Sequence, residues 1–327
     1  MLETLLAQGR PLLADGATGT NLFEMGLSSG DSPELWNATH PDRIRTLHQS
    51  FVDAGADIIL TNSFGGNRRR LMLHQLEGRT RELNRRAAEI ARSAAAGAGR
   101  PVVVAGSVGP TGDLLAPLGP ITQEEAFDFF VEQIEGLKEG GADVIWIETM
   151  SAPDEIAAAA RAAGSLGMPY TVTASFDTAG KTMMGVAPAA LAALTADFDP
   201  RPVAFGANCG VGASDLVMSI LAMTEARPDA IVIAKANAGI PQWHGAHIHY
   251  SGTPELMGDY ARLALDAGAR IVGGCCGSTP VHLAAMRRAI DGHSAGARPR
   301  LAEVVATLGP LVAPPSTAQA ARTRRRG

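Results

Sequence analysis

The sequence predicts a single closed (β/α)8 barrel, and three observations carry that prediction. A local phrase recurs along the chain: Ala54-Gly55-Ala56-Asp57-Ile58-Ile59-Leu60, then Gly140-Gly141-Ala142-Asp143-Val144-Ile145-Trp146, then Ala267-Gly268-Ala269-Arg270-Ile271-Val272. Each copy follows helical periodicity and reads as a helix closed by glycine, a tight turn and a buried strand. Short continuous apolar runs without alternation recur at regular intervals, as in parallel strands covered on both faces. Polar and glycine residues gather after every run, at the strand ends where barrels build their chemistry. A length of 327 residues suits one barrel of roughly 250 residues with additions. A doubly wound sheet is the runner-up. It would carry a Gly-x-Gly-x-x-Gly turn after an early strand, and Asp15-Gly16-Ala17-Thr18-Gly19-Thr20 lacks that spacing.

In order, the eight strands are expected at 12–14, 57–61, 102–105, 144–147, 170–174, 203–206, 230–234 and 270–272. Helix starts are marked by a capping box at Thr122-Gln123-Glu124-Glu125 and by proline at the first helical position in Thr253-Pro254 and Thr279-Pro280. Pro153-Asp154-Glu155 opens another helix in the same way. The strands run into Asp15-Gly16, Thr61-Asn62-Ser63-Phe64-Gly65, Ser107-Val108-Gly109-Pro110, Glu148-Thr149-Met150, Ser175-Phe176-Asp177, Asn208-Cys209-Gly210, Lys235-Ala236-Asn237-Ala238-Gly239 and Gly273-Gly274-Cys275-Cys276. The barrel is expected to fill residues 1–306. The Pro/Ala-rich, basic stretch 307–327 is expected to be disordered.

Composition excludes several roles. The net charge is −5 and no folded segment carries a basic stripe, so nucleic-acid binding is unsupported. No apolar run approaches the ~18–20 residues that span a bilayer, so no membrane role is expected. The opening Met1-Leu2-Glu3-Thr4-Leu5-Leu6 has no basic region ahead of its apolar residues, so no signal peptide is expected and the cytoplasm is the expected compartment. Homo-oligomerisation is left open.

The chemistry centres on the chain's 3 cysteines. Cys275 and Cys276 are adjacent and Cys209 lies far upstream. All follow apolar runs and stand beside glycine. A disulfide between neighbours is strained, and a bridge from either one to Cys209 leaves an odd thiol. Inert burial is the default for a lone cysteine, but a core filler needs no flanking glycines. Three thiolates select zinc or another soft metal and leave a fourth position open, the mark of a catalytic rather than a structural site. Cys209 falls on strand 6 and the other pair on strand 8, so in a closed barrel all three converge near the rim.

With these motifs in place, the chain resembles the zinc-dependent homocysteine S-methyltransferase family. That family includes betaine–homocysteine methyltransferase and the homocysteine-binding module of cobalamin-dependent methionine synthase. The resemblance runs from about residue 11 to about residue 290, through the strand-end motifs above, and Gly273-Gly274-Cys275-Cys276-Gly277 together with Cys209 is its most specific part. It implies Zn2+ on Cys209, Cys275 and Cys276, with Asn237 as fourth ligand when substrate is absent. It implies that the homocysteine carboxylate meets backbone amides of Gly16, Ala17 and Thr18, and that its ammonium faces Asp15 and Glu148. Two positions depart from betaine enzymes, which cage a trimethylammonium with aromatic rings. One is Gly65-Gly66-Asn67 and the other is Thr149. Both look more like the methionine synthase module. No Asp-x-His-x-x-Gly corrinoid motif is present, so a methylcobalamin donor would be supplied by a separate corrinoid protein; betaine, S-methylmethionine and dimethylsulfonio compounds are the other donors left open.

The residue chemistry agrees. A homocysteine thiol of pKa near ~8.5 is only a few per cent thiolate at pH 7. Zinc would deprotonate it, a gain of about 2 kcal/mol, while three anionic cysteines keep the sulfur electron-rich. Two rivals stand beside this reading. His244-x-x-His247-x-His249, beside Trp243 and Tyr250, would serve a barrel hydrolase with a histidine-bound metal. A zinc-stabilised binding module would hold metal without turnover.

Overall fold

A computed structural model describes residues 1–239, 241–244 and 247–312; for 241–244 and 247–249 it describes the backbone alone. The barrel strands are β1 (Leu12–Leu13), β2 (Ile58–Leu60), β3 (Val103–Val108), β4 (Val144–Met150), β5 (Tyr170–Ala174), β6 (Ala204–Cys209), β7 (Val232–Ala236) and β10 (Ala269–Gly274); β8 (Pro241–His244) and β9 (His247–Tyr250) form a separate hairpin. Parallel pairing runs β1-β10-β7-β6-β5-β4-β3-β2. The sheet closes between its ends: Ala14 bridges Ile58, the Asp15 amide donates to the Ile58 carbonyl at 3.0 Å, and the Asp57 amide donates to the Leu13 carbonyl at 2.7 Å. The expected (β/α)8 barrel is therefore the observed one, with each of its strands at the expected place.

Alternate residues on each strand split between two cores, as the strand period of two requires. Leu12, Ile58, Leu60, Val103, Ala105, Trp146, Ile233 and Ile271 fill the interior, and the amino-terminal helix Leu2–Leu6 adds Leu2, Leu5 and Leu6 to that same cluster. The other face packs on the helices through residues such as Val104, Ile145, Val172, Phe205 and Val272. Below the barrel seam, buried Asp57 accepts from the Leu13 amide at 2.9 Å and pairs with Arg10 and Arg287. This cluster ties β1 and β2 to the helix Pro280–Asp291, which carries Arg287. Among the described residues, no helix is long and apolar enough to cross a membrane.

The hairpin β8–β9 stands outside the barrel, in the stretch that carries His244, His247 and His249. Pro241 pairs with Tyr250 and His244 with His247, in antiparallel register. Bulky residues around a two-residue gap containing Gly245 are a hairpin signal. The expected end of the barrel at 306 also falls inside a helix, Leu301–Leu308, and the chain beyond it stays attached: Ser214 Oγ donates to the Gly309 carbonyl and the Val312 amide to Asp215. Residues 313–327, the rest of the expected disordered tail, lie outside the described residues.

Close strand packing makes one glycine critical. A methyl group on Gly206 of β6 would lie 1.9 Å from the Ile233 carbonyl oxygen of β7. Gly206→Ala should lower the unfolding free energy by about 1–3 kcal/mol, read by urea denaturation; an unchanged midpoint would contradict this packing.

Candidate metal and substrate site

Strand order brings the cysteines together. Cys209 ends β6, Cys275 and Cys276 follow β10, and β7 lies between those strands. The three sulfurs all lie within 4.8 Å of one another, with Cys209 Sγ and Cys276 Sγ 3.7 Å apart. Thiolates around a tetrahedral Zn2+ at ≈ 2.3 Å stand about 3.8 Å apart, the spacing of the Cys209–Cys276 pair, and Cys275 lies close enough to join them. The β7–β10 ladder continues into the cysteine loop, where the Cys275 amide donates to the Ala236 carbonyl at 2.7 Å and the Ala238 amide to the Cys276 carbonyl at 2.9 Å. Gly274 is required because an added Cβ would lie 2.2 Å from Ser278 Oγ. Gly277, at φ +78°, lies directly under the Tyr250 ring.

Asn208 holds the other half. Cys209 has φ +62° and Thr149, two strands away at the end of β4, has φ +61°; both are left-handed conformations unusual for residues with a side chain. The Asn208 side chain fastens them. Its Oδ1 accepts from the Thr149 amide at 2.8 Å and Thr173 Oγ1 at 2.7 Å, and its Nδ2 donates to Thr149 Oγ1 at 2.7 Å and lies 3.8 Å from Cys275 Sγ. Sequence reasoning quoted Asn208 inside the cysteine motif without giving it a role. A buried asparagine beside a glycine-flanked cysteine was the signal.

Asn237 is also buried. Its Nδ2 donates to the Gly210 carbonyl at 2.8 Å, while among the described residues its Oδ1 has no hydrogen-bond partner. A buried acceptor left unsatisfied is rare, and a cation nearby would satisfy it. The thiols are mutually coupled. Hydrogen bonds from Cys209 and Cys275 hold the Cys276 thiol far below its ordinary value, to about 3, and the same sharing pushes Cys209 up.

Three charged groups occupy the adjoining barrel interior. Lys235 Nζ donates to Asp15 Oδ1 at 2.8 Å, both side chains being buried. Asp15 Oδ2 accepts from the Leu60 amide at 2.7 Å. Glu148 Oε1 accepts from Ser107 Oγ at 2.5 Å. Burial raises Asp15, against the opposing pull of Lys235. Burial likewise raises Glu148 to about 7, partly offset by Lys235. Lys235 is raised although its own burial opposes that, because Asp15 and Glu148 stabilise its charge. Cys275 acts electrostatically on all three, which makes thiols and charged layer one site.

The expected carboxylate-binding turn lies at the mouth of β1. The Ala17 amide donates to the Ser278 carbonyl at 3.2 Å, while no hydrogen bond engages the amides of Gly16 and Thr18 among the described residues. Gly16 packs against the same carbonyl, at 2.9 Å from where its Cβ would stand. The side chains of His244, His247 and His249 lie outside the described residues.

Residues 12–290 match the homocysteine S-methyltransferase family. The methionine synthases of Mycobacterium leprae and Mycobacterium tuberculosis are each 32% identical, over 318 and 299 residues. Those alignments cover 92% and 86% of this chain and 26% and 25% of the relatives, so the chain spans about a quarter of their length. The homocysteine methyltransferase MmuM of Escherichia coli superposes in its metallated form with a TM-score of 0.73 at 26% identity, over 88% of this chain and 99% of that one. Its oxidized form gives 0.73 at 27% identity, over 88% and 98%.

Two outcomes follow from this geometry. Asn208→Ala leaves the Thr149 amide and Thr173 hydroxyl unpaired and should reduce stability by about 1–3 kcal/mol, measured by thermal melting. Glu148 titrates near 7 when folded against an ordinary 4.5, so the folded chain retains a proton that the unfolded chain releases. Its contribution to the stability of the metal-free protein is present below pH 4.5 and is lost as pH rises through 7. Glu148→Gln should flatten that slope in urea titrations at pH 5 and pH 8; an unchanged slope would refute the assignment.

Proposed function

The chain belongs to the homocysteine S-methyltransferase family, and on that premise we propose that it methylates the thiol of homocysteine to give methionine, with Zn2+ held by Cys209, Cys275 and Cys276. The observation that carries this reading is the convergence of three thiols within 4.8 Å, with Asn237 Oδ1 unpaired among the described residues. Zinc bound there would ionise the substrate thiol at neutral pH, while three anionic ligands preserve its nucleophilicity.

The chain's own residues supply the rest. Asn208 fixes the Cys209 end of the cluster. Asn237, turned by its bond to Gly210, presents Oδ1 as the fourth donor when substrate is absent. The amides of Gly16 and Thr18, in the Gly16-Ala17-Thr18 turn, take the substrate carboxylate. Asp15 and Glu148 make the opposite end acidic, which suits the substrate ammonium. The cytoplasm is the proposed compartment, where thiols stay reduced.

The donor is proposed to be a methyl-corrinoid carried by another polypeptide, with betaine as the alternative. Space favours the first. A Cβ on Gly66 would lie 2.5 Å from Asn84 Oδ1, one on Gly65 would lie 2.9 Å from Glu34 Oε1, and Thr149 is tied to Asn208. None of these positions has room for the aromatic rings of a quaternary-ammonium cage.

Zinc-loaded protein incubated with homocysteine should form methionine from methylcobalamin, assayed by mass spectrometry with betaine in a parallel reaction. Cys209→Ser should lose zinc and slow turnover by at least about 30-fold, the advantage in thiolate fraction at pH 7. Full turnover by a zinc-free Cys209→Ser protein would sink the proposal, and turnover with betaine alone would reassign the donor.

A further inference from the structure

Charge does not balance inside the barrel. Asp15 and Glu148 are two buried carboxylates, and Lys235 is the cation the structure sets against them. Lys235 is committed to one of them. Its Nζ lies 2.8 Å from Asp15 Oδ1, the lysine is 3% exposed and the aspartate 1%. The second Asp15 oxygen accepts from the Leu60 amide at 2.7 Å, so each oxygen of this carboxylate already has a donor. Glu148 differs. Oε1 accepts from Ser107 Oγ, and among the described residues nothing donates to Oε2. Ser107 is neutral, so the Glu148 charge has a hydrogen bond and no cation of its own.

We infer, building on the homocysteine reading, that Lys235 is a specificity-determining positioning residue: its ammonium fills the place at Asp15, and recognition of the substrate's amino group falls to Glu148 alone. The layer of Asp15, Lys235 and Glu148 is then short of one positive charge when Glu148 is ionised, and a thiol bearing one ammonium supplies it. Asp15 serves to hold Lys235 away from Glu148. Lys235 and Glu148 already feel one another electrostatically, so a lysine released from Asp15 has Glu148 as its next partner. This division of labour gives the two carboxylates, equivalent by sequence, different tasks.

The test is a binding ratio, measured by calorimetric titration of the zinc-loaded full chain with homocysteine and with 4-mercaptobutanoate, which lacks the amine. The parent protein should prefer homocysteine by about 10- to 100-fold, the range of a charge-assisted hydrogen bond. Glu148→Gln should reduce the preference to within about 3-fold, as a neutral amide gives no charge assistance. Asp15→Asn should do the same, because the freed Lys235 neutralises Glu148. Adding Lys235→Met to Asp15→Asn should restore the preference. If Asp15 itself binds the amine, the double variant stays unselective while still binding 4-mercaptobutanoate, and the inference falls. Should the double variant fail to fold by circular dichroism, Lys235→Met alone decides: it should raise the preference above the parent's, because Asp15 is then exposed as a second carboxylate, and an unchanged or lower preference overturns the inference. A parent protein that binds no homocysteine removes the methyl-transfer reading and this inference together, whereas the variants can remove the inference alone.

Discussion

The site depends on β7 standing between β6 and β10. Neighbouring strands are about 4.8 Å apart, so cysteines on β6 and after β10 stand two strand spacings apart and their sulfurs meet only across the end of β7. Ala236 pairs with Cys209 on one side and with Gly274 on the other, and its carbonyl receives the Cys275 amide. Barrel closure and this register are thus joint conditions for the thiols to converge.

The same closure accounts for the electrostatics. Three ionisable thiols and two carboxylates in one buried region repel one another, and burial disfavours every charged form. Lys235 is the internal compensation. It stays charged because Asp15 and Glu148 outweigh its own desolvation. A buried pair of this kind is weak evidence for stability, which makes its place within reach of the thiols more telling than its strength. On the opposite face, Asp57 with Arg10 and Arg287 performs a structural closure at the barrel seam. Charge near the amino-terminal strand ends holds the barrel together, and charge at the carboxy-terminal ends is available for a ligand.

Strands and cysteines were legible because each rests on local signals. The glycine turn before Ile58, Val144 and Ala269, the unbroken apolar runs and the Gly-Cys motifs need only a few consecutive residues. Pairings across the fold were not legible. Lys235 and Asp15 are 220 positions apart, and nothing beside either residue names the other. The left-handed Cys209 and Thr149 are likewise explained only by an asparagine that joins three strand ends. The β8–β9 hairpin is hidden for another reason: its strands are only four residues each, too short for a clear alternation.

The donor side follows from the same crowding. In the loops after β2 and β4 the backbone is tied down: the Gly65 amide binds Glu34, the Gly66 carbonyl takes Asn84 Nδ2, and the Thr149 amide is held by Asn208. A side chain at Gly65 or Gly66 would crowd Glu34 or Asn84. A reactive methyl group must nevertheless reach a thiol at the strand ends in line. On the proposed reading, these tied loops suit a methyl carried in on a larger surface, and selectivity for the methyl source would then reside in the carrier.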